Sequence, residues 1–316
     1  MIGTSTDSTG GFELNRIPLG AHRLYVSMLG YEPATRDMLV QRAATDTLAF
    51  QLTPAVLSAG EVTVTAERDT DWYKRLEKFK RLFIGTSARA DRCTLLNPEV
   101  LAFETKWWGR FEASARAPLL IENRALGYRI RYHLDEFRAS GGTVRWDGEP
   151  FFEPLTPADT AEAAAWATHR EDAYAGSMRH FLRALRANRL QEAGFTVYRH
   201  PDDAFRSTSN RFRVRASRLI EPAASDSISA LNFHGRLEIV YRHEHEDARY
   251  LRWAGTYHRR SPGLQTSHLE LNEHPVTVDA SGEIVEPYGA TVYGHFAFER
   301  LADAVPRGYR LPSAQY

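Results

Sequence analysis

The stretch from Gly10 to Tyr31, GGFELNRIPLGAHRLYVSMLGY, constrains the fold more than any other part of the chain, because its turn chemistry, strand pattern and spacing agree. Asp7 to Gly11 is a turn cluster, and the alternation of Phe12 and Leu14 with Glu13 and Asn15 predicts a strand with one buried face. Ile17-Pro18-Leu19-Gly20 breaks it: proline fixes φ and lacks an N–H, and glycine tolerates positive φ. The pattern resumes over 22–29, with Leu24, Val26 and Met28 on one face and Arg23, Tyr25, Ser27 and Leu29 on the other. Gly30-Tyr31-Glu32-Pro33 closes that strand. Short strands meeting at Pro/Gly corners are the unit of an antiparallel sandwich.

The string T-D-S-T-G-G-F-x-L-x-x-I-P-x-G-x-x-x-L-x-V-S-x-x-G-Y-E resembles the second half of the carboxypeptidase regulatory-like domain, a transthyretin-like sandwich common in envelope proteins of Bacteroidetes-type bacteria. Residues 47–54 and 61–66 resemble its closing strands, so the resemblance covers 1–66. It implies a non-catalytic accessory module. Family members usually open with two further strands, and here the chain opens at Met1-Ile2-Gly3-Thr4. The expectation is an N-terminally incomplete sandwich with an exposed edge, a pairing liability. Glu61 to Ala66 also resembles the segment before the plug of TonB-dependent outer-membrane receptors, but the residues after it do not resemble a plug, and the chain is too short for their barrel.

The 316 residues suffice for a small domain at 1–66 and a larger one at 71–316. Forty basic residues against 40 acidic ones create no global field, so nucleic acid is not an expected partner. No run reaches the length of a membrane helix and no signal peptide is evident. The single cysteine, Cys93, can form no internal disulfide and reads as a buried thiol.

From Asp71 the period changes. Trp72, Leu76, Phe79 and Phe83 form one face of an amphipathic helix, with Asp71 as N-cap and Gly85 at its stop. Lys74, Arg75, Lys78 and Arg81 form a basic outer face that could lie on an anionic membrane, with a solvated face on a helix docked to a sheet as the favoured reading. Residues 101–104, 110–115, 128–134 and 143–146 then read as strands, the third placing Tyr128, Ile130, Tyr132 and Leu134 on one face. Thr156-Pro157-Ala158-Asp159 predicts a helix start with Thr156 as N-cap, and a second helix carries Met178, Phe181, Leu182 and Leu185. Strands are expected at 195–198, 212–216, 231–241, 250–256, 266–271 and 276–279, then a short helix at 298–304 and a loosely held tail. The phrases 97–101, 121–128, 173–182 and 299–303 are similar to an uncharacterised C-terminal region that accompanies the same sandwich. That resemblance implies an envelope address and no known active site.

Candidate chemistry is sparse. His133-Leu134-Asp135-Glu136 has the H-x-x-E spacing of zinc carboxypeptidases, yet in a strand His133 and Glu136 point to opposite faces. His243, His245 and Asp247 could share a strand face as metal ligands; a charged hairpin tip between strands 237–241 and 250–253 is the favoured reading. His268, Glu270, Glu273 and His274 could add ligands, but nothing in the spacing brings them to either cluster. Ser177 and His180 lie three apart on a helix without a nucleophile elbow, so a cap is favoured over catalysis. Trp107-Trp108, Trp146 and Phe151-Phe152 could form a stacking platform for sugar or peptide.

The expected fold is mainly β or α+β: a partial transthyretin-like sandwich, then an antiparallel-sheet domain with two or three helices. The expected function is non-enzymatic binding or scaffolding in the envelope, periplasmic or outer-membrane associated, with an unknown envelope protein, peptide or glycan as partner. No catalytic, cofactor or metal residue is assigned and no cofactor is expected. The alternatives are a zinc-dependent hydrolase and a fragment related to TonB-dependent receptors.

Overall fold

A computed structural model describes residues 3–17, 20–28, 30–31, 34–40, 45–54, 70–200, 211–222, 228–258 and 260–311. Strands β1 (Gly20–Val26) and β2 (Ala34–Val40) pair as an antiparallel hairpin, Gly20 opposite Val40. The second of these went unread in the sequence, because Arg36 and Asp37 interrupt its apolar alternation. Residues 12–15 and 47–52, expected as strands, carry no regular secondary structure, yet burial alternates along both: Phe12, Leu14, Leu48, Phe50 and Leu52 are half-buried and Phe12 packs on Phe50. Neither segment joins a ladder; an isolated bridge between Tyr31 and Pro54 is the link to the hairpin loop. The expected strand at 61–66 lies outside the described residues.

Helix α1 (Thr70–Phe83) forms as its spacing requires, with Phe79 and Phe83 fully buried. It lies on a six-stranded antiparallel sheet of β3 (Cys93–Leu95), β4 (Leu101–Thr105), β5 (Phe111–Ala115), β6 (Leu119–Asn123), β7 (Tyr128–Ser140) and β8 (Thr143–Pro154). The order is β3-β6-β7-β5-β4, with β8 on the free side of β7. Between Leu134 and Glu136 the β7–β8 register slips by one residue. The slip inverts the alternation, so Tyr128, Ile130 and Tyr132 are buried before it, Phe137 and Ala139 after it. Leu134 therefore stays only half-buried, and Glu136 joins the face of His133, a correction to the regular-strand reading.

Helix α2 (Thr160–Tyr174) starts three residues later than the sequence suggests, because Asp159 caps it by accepting from the Glu162 N–H at 2.8 Å, while the Glu162 carboxylate takes the Ala158 N–H at 2.7 Å. It docks on the β6–β7 turn largely through polar contacts. Trp166 Nε1 donates to Arg124 O at 2.9 Å and Arg170 Nε to Leu126 O at 2.7 Å. At Gly127, with φ +67°, a Cβ would fall 2.2 Å from the Trp166 ring, so only glycine admits this docking. Asn123 holds the same turn, accepting from the Ala125 and Leu126 N–H groups, both at 3.0 Å.

Helix α3 (Met178–Arg186) packs on the second half. That half contains a sheet of β9 (Phe195–His200), β10 (Phe212–Arg213), β13 (Arg236–His245), β14 (Leu264–Leu271) and β16 (Ala290–Gly294), ordered β10-β9-β13-β14-β16. A smaller sheet orders β11 (Ile220–Pro222), β12 (Ile228–Leu231) and β15 (Val276–Asp279). The expected strand at 250–256 is instead helix α4 (Ala248–Trp253), and a short helix α5 (His295–Phe298) precedes the C-terminal segment. The segment is pinned rather than loose as far as Leu311: Arg179 donates to Val305 O at 2.6 Å, and Arg183 to Arg307 O at 2.5 Å and Tyr309 O at 2.6 Å. Two main buried clusters result, one under α1 and one under α3; no described residue before Thr70 belongs to either. No helix among the described residues is long and apolar enough to cross a membrane.

Candidate functional site

The seam between the β1–β2 hairpin and the outer face of β7–β8 gathers one cation and three carboxylates from separate parts of the chain. Arg23, on β1, engages all five N–H donors of its guanidinium. Nε donates to Asp37 at 2.7 Å and Nη2 to the same carboxylate at 3.2 Å. Nη1 reaches Asp135 at 3.3 Å and Asp147 at 3.0 Å, and Nη2 a second Asp147 oxygen at 3.3 Å. Asp135 sits at the β7 register slip, which is how the strand brings a carboxylate into reach. Two residues further along β1, the Tyr25 ring lies 3.8 Å from that of His133, with Phe151 edge-on to both.

The electrostatics are set by this packing. The hydrogen bond to Asp37 raises the pKa of Arg23, and the guanidinium holds Asp37 below its ordinary value. Asp135 is raised, since burial outweighs the attraction of Arg23. Burial lowers His133. The seam is thus a fixed cation enclosed by three carboxylates beside an aromatic stack, which can hold two parts of a chain in register. Sequence reading missed it because Arg23 is an isolated cation on the strand's outer row, and its partners lie 14, 112 and 124 residues away.

The candidate chemistry is dispersed. His133 is in the aromatic stack, and Glu136, on the same face, accepts from Tyr288 Oη at 2.7 Å instead. The 243–247 segment is a strand-to-helix junction, not a hairpin tip: His243 and His245 are exposed, Arg260 grips Glu246, and Asp247 caps α4 by accepting from the Tyr250 N–H at 2.6 Å. His268 pairs across the sheet with Glu238, which accepts from His200 at 2.8 Å; His274 packs on His234, far from that row in register. Among the described residues, no three His, Cys, Asp or Glu side chains are grouped to hold a metal ion. Ser177 is the N-cap of α3, accepting from the His180 N–H at 3.2 Å and donating to Tyr174 O at 2.7 Å. His180 Nδ1 accepts from the Gly176 N–H at 3.1 Å, and burial lowers its pKa to about 4. Burial also pushes the Cys93 thiol up to about 12, which keeps it protonated at neutral pH. The aromatic platform does not assemble: Trp146 packs on Phe83, Phe152 on Tyr128 and Phe151 in the seam, leaving Trp107 and Trp108 exposed.

One titratable group was not anticipated. Glu244, His295, Glu299 and Asp303 lie together beneath Arg89, which pairs with Asp303 at 3.2 Å. Burial raises Glu244 to about 7 and raises Glu299 as well. Burial opposes charge on His295, yet Glu299, 3.4 Å away, and Glu244 raise it overall. The nearby 120 Å³ cavity is lined by residues including Leu82, Gly85, Trp253, Phe298 and Arg300 and by none of these groups. A wider groove of about 670 Å³ runs along α1, past Tyr73, Lys74, Lys78 and Arg81 to Cys93.

Residues 1–64 match the family of the CarboxypepD_reg-like domain, a non-catalytic domain type. The hairpin members of the seam, Arg23, Tyr25 and Asp37, fall inside that match, and Asp135 and Asp147 fall outside it. No curated protein and no solved structure matches the chain.

Proposed function

We propose that a chain opening with a CarboxypepD_reg-like domain keyed onto a larger α+β body is a non-enzymatic binding or scaffolding protein of the cell envelope, periplasmic or outer-membrane associated. The observation that carries the reading is the Arg23 seam: Arg23, held by Asp37 of its own hairpin, bonds that hairpin to the outer face of β7–β8 through two carboxylates, Asp135 and Asp147. Support also comes from the polar side chains best suited to chemistry, since Ser177, His180, Glu246 and Asp247 are all engaged in caps and local hydrogen bonds. The body then acts through its surface, on an envelope protein, peptide or glycan.

The rival reading is a zinc-dependent hydrolase. Elemental analysis of the purified chain, together with incubation against a peptide library, separates the two. The expected result is no stoichiometric metal and no cleavage; one zinc per chain with peptide turnover would overturn the proposal.

A further inference from the structure

The β4–β5 hairpin ends in Lys106-Trp107-Trp108-Gly109-Arg110, and both indoles point into solvent, 86 % and 93 % exposed. Among the described residues, neither finds a hydrogen-bond or ring partner. Large aromatic rings on monomer surfaces are usually at least partly packed, so two adjacent, fully wet indoles indicate something that covers them. The backbone adds an independent observation: Trp108 holds φ 63° and ψ 22°, the left-handed region that a bulky residue rarely enters. The Lys106 N–H to Arg110 O bond at 2.8 Å closes the turn and keeps the rings at its apex.

Beneath the apex cations slightly outnumber carboxylates. Lys106 and Arg110 both contact Glu112 at 2.8 Å, Arg138 of the neighbouring strand reaches it at 3.4 Å, and Lys78 of α1 lies over the Phe111 ring at 4.5 Å. Lys106 also reaches Glu104 at 3.6 Å and Arg138 reaches Glu136 at 2.8 Å, so four cations stand against three carboxylates, an excess of one positive charge. The adjoining β7–β8 turn, brought alongside by the Phe111–Ala139 pair, ends in Gly141 and Gly142 and adds no bulk that would keep a flat partner away.

We propose that this apex is a membrane anchor: Trp107 and Trp108 enter the headgroup region of an anionic lipid bilayer while Lys106, Arg110, Arg138 and Lys78 face its phosphates. The shape favours this occupant over a protein. Two indoles offer about 300–500 Å² of contact, whereas a stable protein interface needs about 800 Å² on each side, and the surrounding residues are charged rather than apolar. A convex apex suits a deformable surface, and tryptophan prefers the membrane–water interface. The inference rests on the envelope reading only in that a bilayer must be at hand, and it is tested without reference to the accessory domain.

The full chain is floated with vesicles of phosphatidylglycerol and phosphatidylcholine, and separately with phosphatidylcholine alone, while tryptophan emission is followed. Binding to the anionic vesicles with a blue shift is expected, with Trp107→Ala/Trp108→Ala lowering the partition by about ten-fold or more. Trp108→Gly, which relieves the backbone, should fold at least as well as the parent and still bind more weakly. Absence of binding by the parent, equal binding by the double variant, or protection of these indoles only by a purified envelope protein would each overturn the anchor. Such a failure leaves the non-enzymatic reading standing, because that reading is judged by metal and turnover.

Discussion

On one face of β7, Tyr132 and Phe137 are closed over by Phe79 and Phe83 of α1, with ring centroids 4.8–4.9 Å apart in the tightest pairs. On the other, His133 and Asp135 meet Tyr25 and Arg23 of the hairpin across a seam that remains partly wet. The first face is interdigitated apolar packing, insensitive to salt and hard to open without unfolding the sheet. The second is directional and charged, so it specifies where the accessory unit sits while contributing less to stability. One strand therefore serves as core and as socket, and the slip between Leu134 and Glu136 is the device that gives the socket one of its carboxylates, Asp135.

The apolar face should respond most strongly to substitution. Phe79→Ala should cost about 3–5 kcal/mol by urea unfolding, the ordinary range for deleting a fully buried phenylalanine, with little dependence on salt. Loss of less than 1 kcal/mol, about what a repacked surface position would show, would mean that α1 is not the lid of this core. At the seam, Arg23→Ala should cost about 2 kcal/mol, because it strands three carboxylates that are themselves partly solvated. Added salt should shrink that loss, and hydrogen exchange should speed up in 20–40 while the α1 amides stay protected.

A smaller effect sharpens the contrast through pH. Burial depresses the pKa of His133 from its ordinary 6.5, so the folded protein binds fewer protons there than the unfolded one. Its contribution is fully present above pH 6.5 and is lost as the pH falls through 6.5 towards the lowered value. His133→Phe keeps the stack with Tyr25 and should flatten the stability profile below pH 6.5 by a few tenths of a kcal/mol, allowing for partial exposure. Asp37 works in the same direction at lower pH: its depressed pKa supplies stability above 3.8 that is lost on further acidification. An unchanged slope below pH 6.5 in His133→Phe would remove His133 from the socket.

Periodicity made the apolar face readable in advance: the spacing of Trp72, Leu76, Phe79 and Phe83 predicted both α1 and its buried side, and Tyr128, Ile130 and Tyr132 predicted the opposing row. The turn chemistry of 10–31 likewise pointed to the domain that the family match supports. The socket was not readable, since a one-residue slip leaves no local mark and Arg23 finds its partners through tertiary folding alone. The same limit hid the clamp on the C-terminal segment, where Arg179 and Arg183 bind backbone carbonyls that no residue pattern announces. At 250–256 the alternation misled because Asp247, read as a candidate ligand, is the cap that starts α4.

A double-mutant cycle on the socket is the sharpest test of the seam. Urea unfolding of the parent, Arg23→Met, Asp147→Asn and the double variant should show a coupling of about 1 kcal/mol or more between the two residues, falling as salt is raised. Losses that simply add, within about 0.5 kcal/mol, would contradict the claim that Arg23 keys the first unit onto the large sheet.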